Sequence, residues 1–213
     1  MASGFPGSID SFTNPLSNSA LNSPSHAGQH QDLNDAVNKI ETYMGLVKVI
    51  PTSATNGTVA ANGTVTISNT VTSVSINGAF SSRYPAYRVV IYGITGSSGS
   101  DLRLTFGSTT TGYYGSYTYV FYGTGASAVY GQNNTANLYV GGVSTNDEQS
   151  ISMDIFNPFA AKRTSVNGLA YGNQYSFFHS GTLSNTTSYT SFTIATGAGT
   201  ISGGTIAVYG YSI

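Results

Sequence analysis

Residues 149–156 read QSISMDIF. Ile151, Met153 and Ile155 alternate with Ser150, Ser152 and Asp154, so an extended chain here has one apolar face and one wet face. That is the period of a half-buried β-strand, and it recurs in both directions from this point. LVKVI (46–50), GTVTIS (63–68), TVTSVSI (70–76), YRVVIYGI (87–94) and DLRLTF (101–106) precede it, and YTSFTIA (189–195) and GTIAVYGYSI (204–213) follow. β-Branched and aromatic residues fill these segments, while Gly, Asn and Ser separate them. SYTYVFY (116–122) places Tyr117, Tyr119 and Phe121 on one face and Val120 and Tyr122 on the other, which predicts a strand covered on both sides, either centrally or at a subunit interface. Asn56-Gly57, Asn62-Gly63, Asn77-Gly78 and Asn167-Gly168 are dipeptides favoured in tight hairpin turns. The pattern predicts a mainly β chain: an antiparallel β-sandwich or jelly-roll head over 79–213, preceded by a β-rich neck over 46–78 that could equally begin the sandwich.

Upstream of Gly45 the pattern changes. Leu33, Val37, Ile40, Met44 and Val47 recur at alternating steps of four and three, the seam of a coiled coil. Asp32 is the expected N-cap, Asp35 sits in the first turn, and Gly45 is the expected stop, giving a short amphipathic oligomerisation helix over 32–45. A helix of that length is marginal alone in water, so it packs either on its own body or against copies of itself. Residues 1–31, with Pro6, Pro15 and Pro24 among many Ser and Asn, cannot bury a core and read as an extended docking arm.

Composition narrows the function. Only 7% of the 213 residues are charged, far below the usual ~25%, so much of the surface is expected to be covered by other subunits. The net charge is −1 and the few Lys and Arg are scattered, which gives no footprint for nucleic acid. There is no Cys, hence no disulfide or thiolate chemistry. No apolar run reaches the ~20 residues of a membrane span and the start has no signal-peptide pattern, so synthesis in a cytoplasm and no membrane insertion are expected.

Motifs for chemistry fail on their context. GTGASA (123–128) fits a dinucleotide-loop pattern but opens no helix, and there is no P-loop. His26 and His30 have metal-sharing spacing, yet the Glu of a zinc protease is missing and Gly28 weakens a helix there; two loop histidines and no metal are expected, with these as the candidate ligands otherwise. Asp101, Asp147, Glu148 and Asp154 are the carboxylates a glycosidase could use, but Asp147-Glu148 reads as a solvated loop. His179 with Asp154 and a serine makes a triad only by arithmetic. No catalytic residue, no cofactor and no enzymatic activity are therefore expected. The 16 Tyr and 10 Phe without Trp suit a sugar-stacking platform or simply fill strands and subunit contacts. Tyr113, Tyr114, Tyr130 and Tyr139, beside Gly/Asn-rich turns, are the candidate glycan contacts.

FTNPL (12–16), LNSPSHAGQH (21–30) and DLNDAVNKIETYMG (32–45) resemble the start of minor virion proteins of tailed bacteriophages, described as tail-fibre, tail-associated or head-fibre proteins. FSSRYPAYRVVIYGITG (80–96), DLRLTFGS (101–108) and GTISGGTIAVYGYSI (199–213) are similar to their distal β-sandwich. The resemblance implies a homotrimer in the virion, docked on other virion proteins through its arm, with the head turned outward toward host-surface polysaccharide or neighbouring proteins. A purely structural decoration or adaptor, and a glycan-degrading tailspike, are the rival roles.

Overall fold

The computed structural model describes residues 25–43, 45–145, 147–172 and 174–212. The protein is mainly β, with antiparallel sheets and one short helix among the described residues, α1 (His26–Tyr43). The strands in chain order are β1 (Leu46–Val49), β2 (Ser53–Thr55), β3 (Gly57–Val59), β4 (Val65–Ile67), β5 (Asn69–Val71) and β6 (Ser73–Asn77). Then come β7 (Ala86–Ile94), β8 (Ser100–Phe106), β9 (Tyr113–Phe121), β10 (Ser127–Thr135), β11 (Leu138–Val143) and β12 (Gln149–Phe156). β13 (Thr164–Tyr171), β14 (Tyr175–Leu183), β15 (Phe192–Thr196), β16 (Ile201–Ser202) and β17 (Thr205–Tyr211) complete the chain.

The helix starts well before the expected Asp32. Ser25 is the actual N-cap: its Oγ accepts from the Gly28 amide at 3.3 Å, and its carbonyl accepts from Gln29 N at 3.0 Å. A capped first turn outweighs the ~1 kcal/mol that Gly28 costs in a helix, so residues 26–31 are helical and not part of an extended arm. Residues 1–24 of the expected arm, and Met44 of the expected seam, lie outside the described residues. Gly45 has φ +56°, the left-handed stop that was expected. Val47 lies beyond that stop in β1 and so does not belong to the helical seam. Leu33, Val37 and Ile40 remain together on the helix and are 54%, 44% and 42% exposed.

The compact body runs from Lys48 to Tyr211. Its large sheet has the order β10-β9-β14-β13-β12-β7-β17-β4-β3 and its smaller sheet the order β11-β8-β15-β6-β2. Strands from 53–77 belong to both sheets: β2 and β6 extend the smaller one, and β4 pairs with β17 at Thr66↔Thr205. The segment 46–78 is therefore no separate neck, because β4 and β6 take their places in the sheets beside β17 and β15.

The alternation in β12 holds: Ile151, Met153 and Ile155 are buried, whereas Ser150, Ser152 and Asp154 are partly wet. Burying each such apolar side chain contributes ~1.5–3 kcal/mol. Phe80 joins the sheets from a loop, stacking on Phe192 at 5.6 Å and meeting Tyr87 edge-on at 4.9 Å. Gly115 of β9 and Gly181 of β14 are register partners, and a Cβ on Gly181 would stand 2.5 Å from Leu138 Cδ2 of β11. Two missing side chains in one sheet thus admit one leucine from the other.

Of the four Asn-Gly pairs, only Asn62-Gly63 closes a hairpin, between β3 and β4, with Gly63 N donating to Ala60 O at 2.9 Å. Asn56, at φ +60°, turns the chain from the smaller sheet to the large one. Asn77-Gly78 ends β6 without a hairpin. Asn167-Gly168 lies inside β13, where Gly168 makes room for the His179 ring: a Cβ would sit 2.7 Å from its Nε2. Close approach, and not a turn, requires that glycine.

Candidate functional site

β9 runs from covered to uncovered along a single face. Tyr113 at its start is fully buried, Tyr117 and Tyr119 are half-buried, and Phe121 at its end is exposed. β10, the edge strand beyond it, is exposed over most of its length. The large sheet thus projects past the smaller one, and its inner face becomes an aromatic ledge. Within the chain 116–122 is not covered on both faces, because β11, the last strand of the opposing sheet, ends the cover.

The ledge is built by register. Tyr130 of β10 pairs with Tyr117 of β9, and their rings stack at 5.1 Å. Tyr117 also stacks on Phe177 of β14 at 4.8 Å and meets Tyr139 of β11 edge-on at 5.3 Å. Tyr119 lies 6.1 Å from Tyr130, planes 12° apart. Gln132 ties the projecting strand to the opposing sheet: its Oε1 accepts from Tyr139 N at 3.0 Å, and its Nε2 donates to Asn137 O at 3.0 Å.

Beside the ledge opens a groove of 420 Å³, whose lining includes Asp101, Tyr119, Phe121, Gln174, Tyr175 and Phe177. Flat rings and a few polar groups in one concavity are what binds a small polar ligand with apolar faces. Burial, reinforced by the nearby Asp147 and Asp101 charges, pushes the Tyr175 phenol up to about 12. Burial first, and then the Asp101 charge, raises Tyr117 to about 12 as well. Both phenols stay protonated in neutral solution and can donate as well as accept hydrogen bonds. The arrangement offers stacking and hydrogen bonding to an uncharged, hydroxyl-rich ligand.

The expected glycan tyrosines do not form one set. Tyr130 and Tyr139 do come together, through Tyr117, but both lie in strands and not in turns. Tyr113 is a core residue whose Oη accepts from Phe106 N at 2.8 Å. Tyr114 alternates with it and faces outward from the sheet. Sequence reading passed over Tyr117, Tyr119, Phe121, Tyr175 and Phe177 as ligand contacts, although three aromatics on one face of SYTYVFY were the available signal.

Asp101 and Asp147 both act on Tyr175, whereas Asp154 lies on the other face of the large sheet. Asp147 is buried, contrary to the expected solvated loop, and accepts from Gln149 Nε2 at 2.7 Å. Asp154 is held on the outer face by Arg88, through bonds of 2.9 and 2.7 Å, and by the Tyr211 hydroxyl at 2.7 Å. Burial alone would raise the Asp154 carboxyl, but these hydrogen bonds and the Arg88 charge together hold it below the ordinary value. His179 points to the inner face, so it does not meet Asp154. Neither of its ring nitrogens has a hydrogen-bond partner among the described residues, and burial lowers its pKa to about 4. His26 and His30 lie on α1, not in a loop, with Nε2 atoms 3.2 Å apart.

No protein-family model matches the chain, and no curated protein sequence matches it.

Proposed function

We propose that this chain is the subunit of a short, self-associating fibre of a tailed-phage virion, a homotrimer attached through residues 1–24, whose β head contacts host-surface glycan. The observation that carries this reading is the exposed row Leu33, Val37 and Ile40 on α1. Three large apolar side chains at coiled-coil spacing on one helix face match the seam of a bundle, and copies of the helix would take them out of water. The resemblance of residues 12–45 to phage virion proteins supports the same reading.

The head supplies the second part. Single sugar contacts on a shallow groove are weak, and several copies held on one axis convert them into firm adhesion through effective concentration. Non-enzymatic binding is the role proposed for the groove, whose rings and phenols offer stacking and neutral hydrogen bonds beside the Asp101 carboxylate.

A structural adaptor role is favoured by one other feature. Val129, Phe178, Tyr171 and Tyr92 are exposed on the outer face of the large sheet, where Arg88 and Asp154 neutralise each other. Such a face suits a protein neighbour. Sedimentation of the full chain tests self-association, and adsorption of particles carrying groove variants separates the two roles. Unchanged adsorption leaves the adaptor. Deleting residues 1–24 is expected to preserve the oligomer and abolish incorporation into particles; normal incorporation would remove the docking role.

A further inference from the structure

The helix holds a pair of side chains that self-association alone does not use. His26 and His30 lie one turn apart, their ring centroids 4.5 Å and their Nε2 atoms 3.2 Å apart. The nitrogens are closer than the centroids, so the rings lean together at their Nε2 edges. Two imidazole nitrogens each about 2.0–2.1 Å from one ion stand about 2.8–3.4 Å apart for bond angles between right and tetrahedral. The pair already has that bite. Both side chains are exposed, so an ion displaces no core packing. The Ser25 cap, bonded to Gly28 N, fixes the turn that carries His26.

We propose that His26 and His30 chelate a divalent transition metal of the zinc, nickel or copper class through their Nε2 atoms. Imidazole ligands favour these ions over calcium and magnesium, which take oxygen donors. The histidines also extend the seam: from His26 the steps are four, three, four and three to His30, Leu33, Val37 and Ile40. Copies of the helix joined through that row bring their imidazoles to a common axis, where one ion draws ligands from all of them. This sharing rests on the self-association proposed above. It places the metal where the seam has no apolar side chain, so the ion clamps the end of the bundle that hydrophobic contact leaves open.

The test uses the full chain dialysed against zinc chloride, with bound zinc measured beside sedimentation. The expected result is a trimer retaining one zinc per three chains, with retention lost in both His26→Gln and His30→Gln. Titration of the wild type with cobalt(II) is an independent reading, and visible absorption typical of nitrogen-bound cobalt should appear and vanish on adding zinc. A trimer that retains no zinc overturns the metal site and leaves the self-association reading standing. A monomer that retains one zinc per chain supports the chelating pair and overturns the shared ion together with the trimer. Zinc retained undiminished by the double variant overturns the assignment to these histidines.

Discussion

Tyr130 lies flat on Tyr117, ring centroids 5.1 Å apart and planes 22° apart, where the large sheet outruns its partner. The contact sets adjacent strands in register and leaves half-wet rings available to a ligand. Tyr130→Ala and Tyr119→Ala should therefore weaken glycan binding several-fold while leaving thermal stability nearly unchanged. Tyr113→Ala should do the reverse, costing ~3–5 kcal/mol by emptying a core site. Glycan-array binding and urea denaturation of the three variants check the contrast, and equal destabilisation of all three would remove the distinction between ledge and core.

Gln132→Ala should loosen the projecting strand. It strips Tyr139 N of the Gln132 acceptor and removes one of two donors to Asn137 O, which keeps the Thr135 hydroxyl, a loss of ~1–3 kcal/mol locally. Amide exchange should quicken in β10 and at Tyr139 more than in β12. Uniform exchange across the body would mean that the strand is held by something else.

Gly181→Ala should destabilise by ~1–3 kcal/mol, because the new methyl meets Leu138 and the Tyr114 carbonyl. Adding Leu138→Ala relieves one of the two clashes and should recover part of that loss in a double-mutant cycle. Simple additivity in the cycle would exclude the contact as the cause.

Acid should weaken the fold before the carboxylates titrate. His179 is neutral in the body, with its pKa lowered to about 4 against about 6.5 in the unfolded chain. Below pH about 6.5 the unfolded state takes up a proton that the folded state refuses, so stability falls as the pH drops toward 4, by ~3 kcal/mol. Asp154, held below its usual value, contributes its own loss only at lower pH. Urea midpoints measured between pH 7.5 and 4.5 should decline in the wild type and stay nearly flat in His179→Leu.

Val37→Asp with Ile40→Asp should shift the proposed trimer to monomer or aggregate, because each would place a charge in its seam. Light scattering reads the change directly. An unaltered trimer would make the helix dispensable for assembly.

Nearly every strand with β-branched alternation was legible in the sequence, β7, β8, β12 and β17 most clearly. β10, β11, β13 and β14 were not, since Gly131, Gly141, Gly142, Gly168 and Gly181 interrupt them and read as loop residues. At Gly168 and Gly181 the reason lies in another strand: His179 and Leu138 occupy the space, and no local pattern encodes that. The same limit hid the site. Alternation gives the face that Tyr117, Tyr119 and Phe121 share, but whether that face meets core or water depends on where β11 ends. The helix start was missed for a smaller reason, as Ser25 is as good a cap as Asp32 and Gly28 argued against the longer choice.

β17 follows every other described strand in sequence, yet it lies inside the large sheet between β7 and β4. Until residues 205–211 have left the ribosome, two strand edges from the first half of the body stand side by side with nothing between them. Residues 205–211 close that gap. A chain released before residue 205 is made would thus carry open edges on β7 and β4, the kind of species that aggregates or is cleared by proteases.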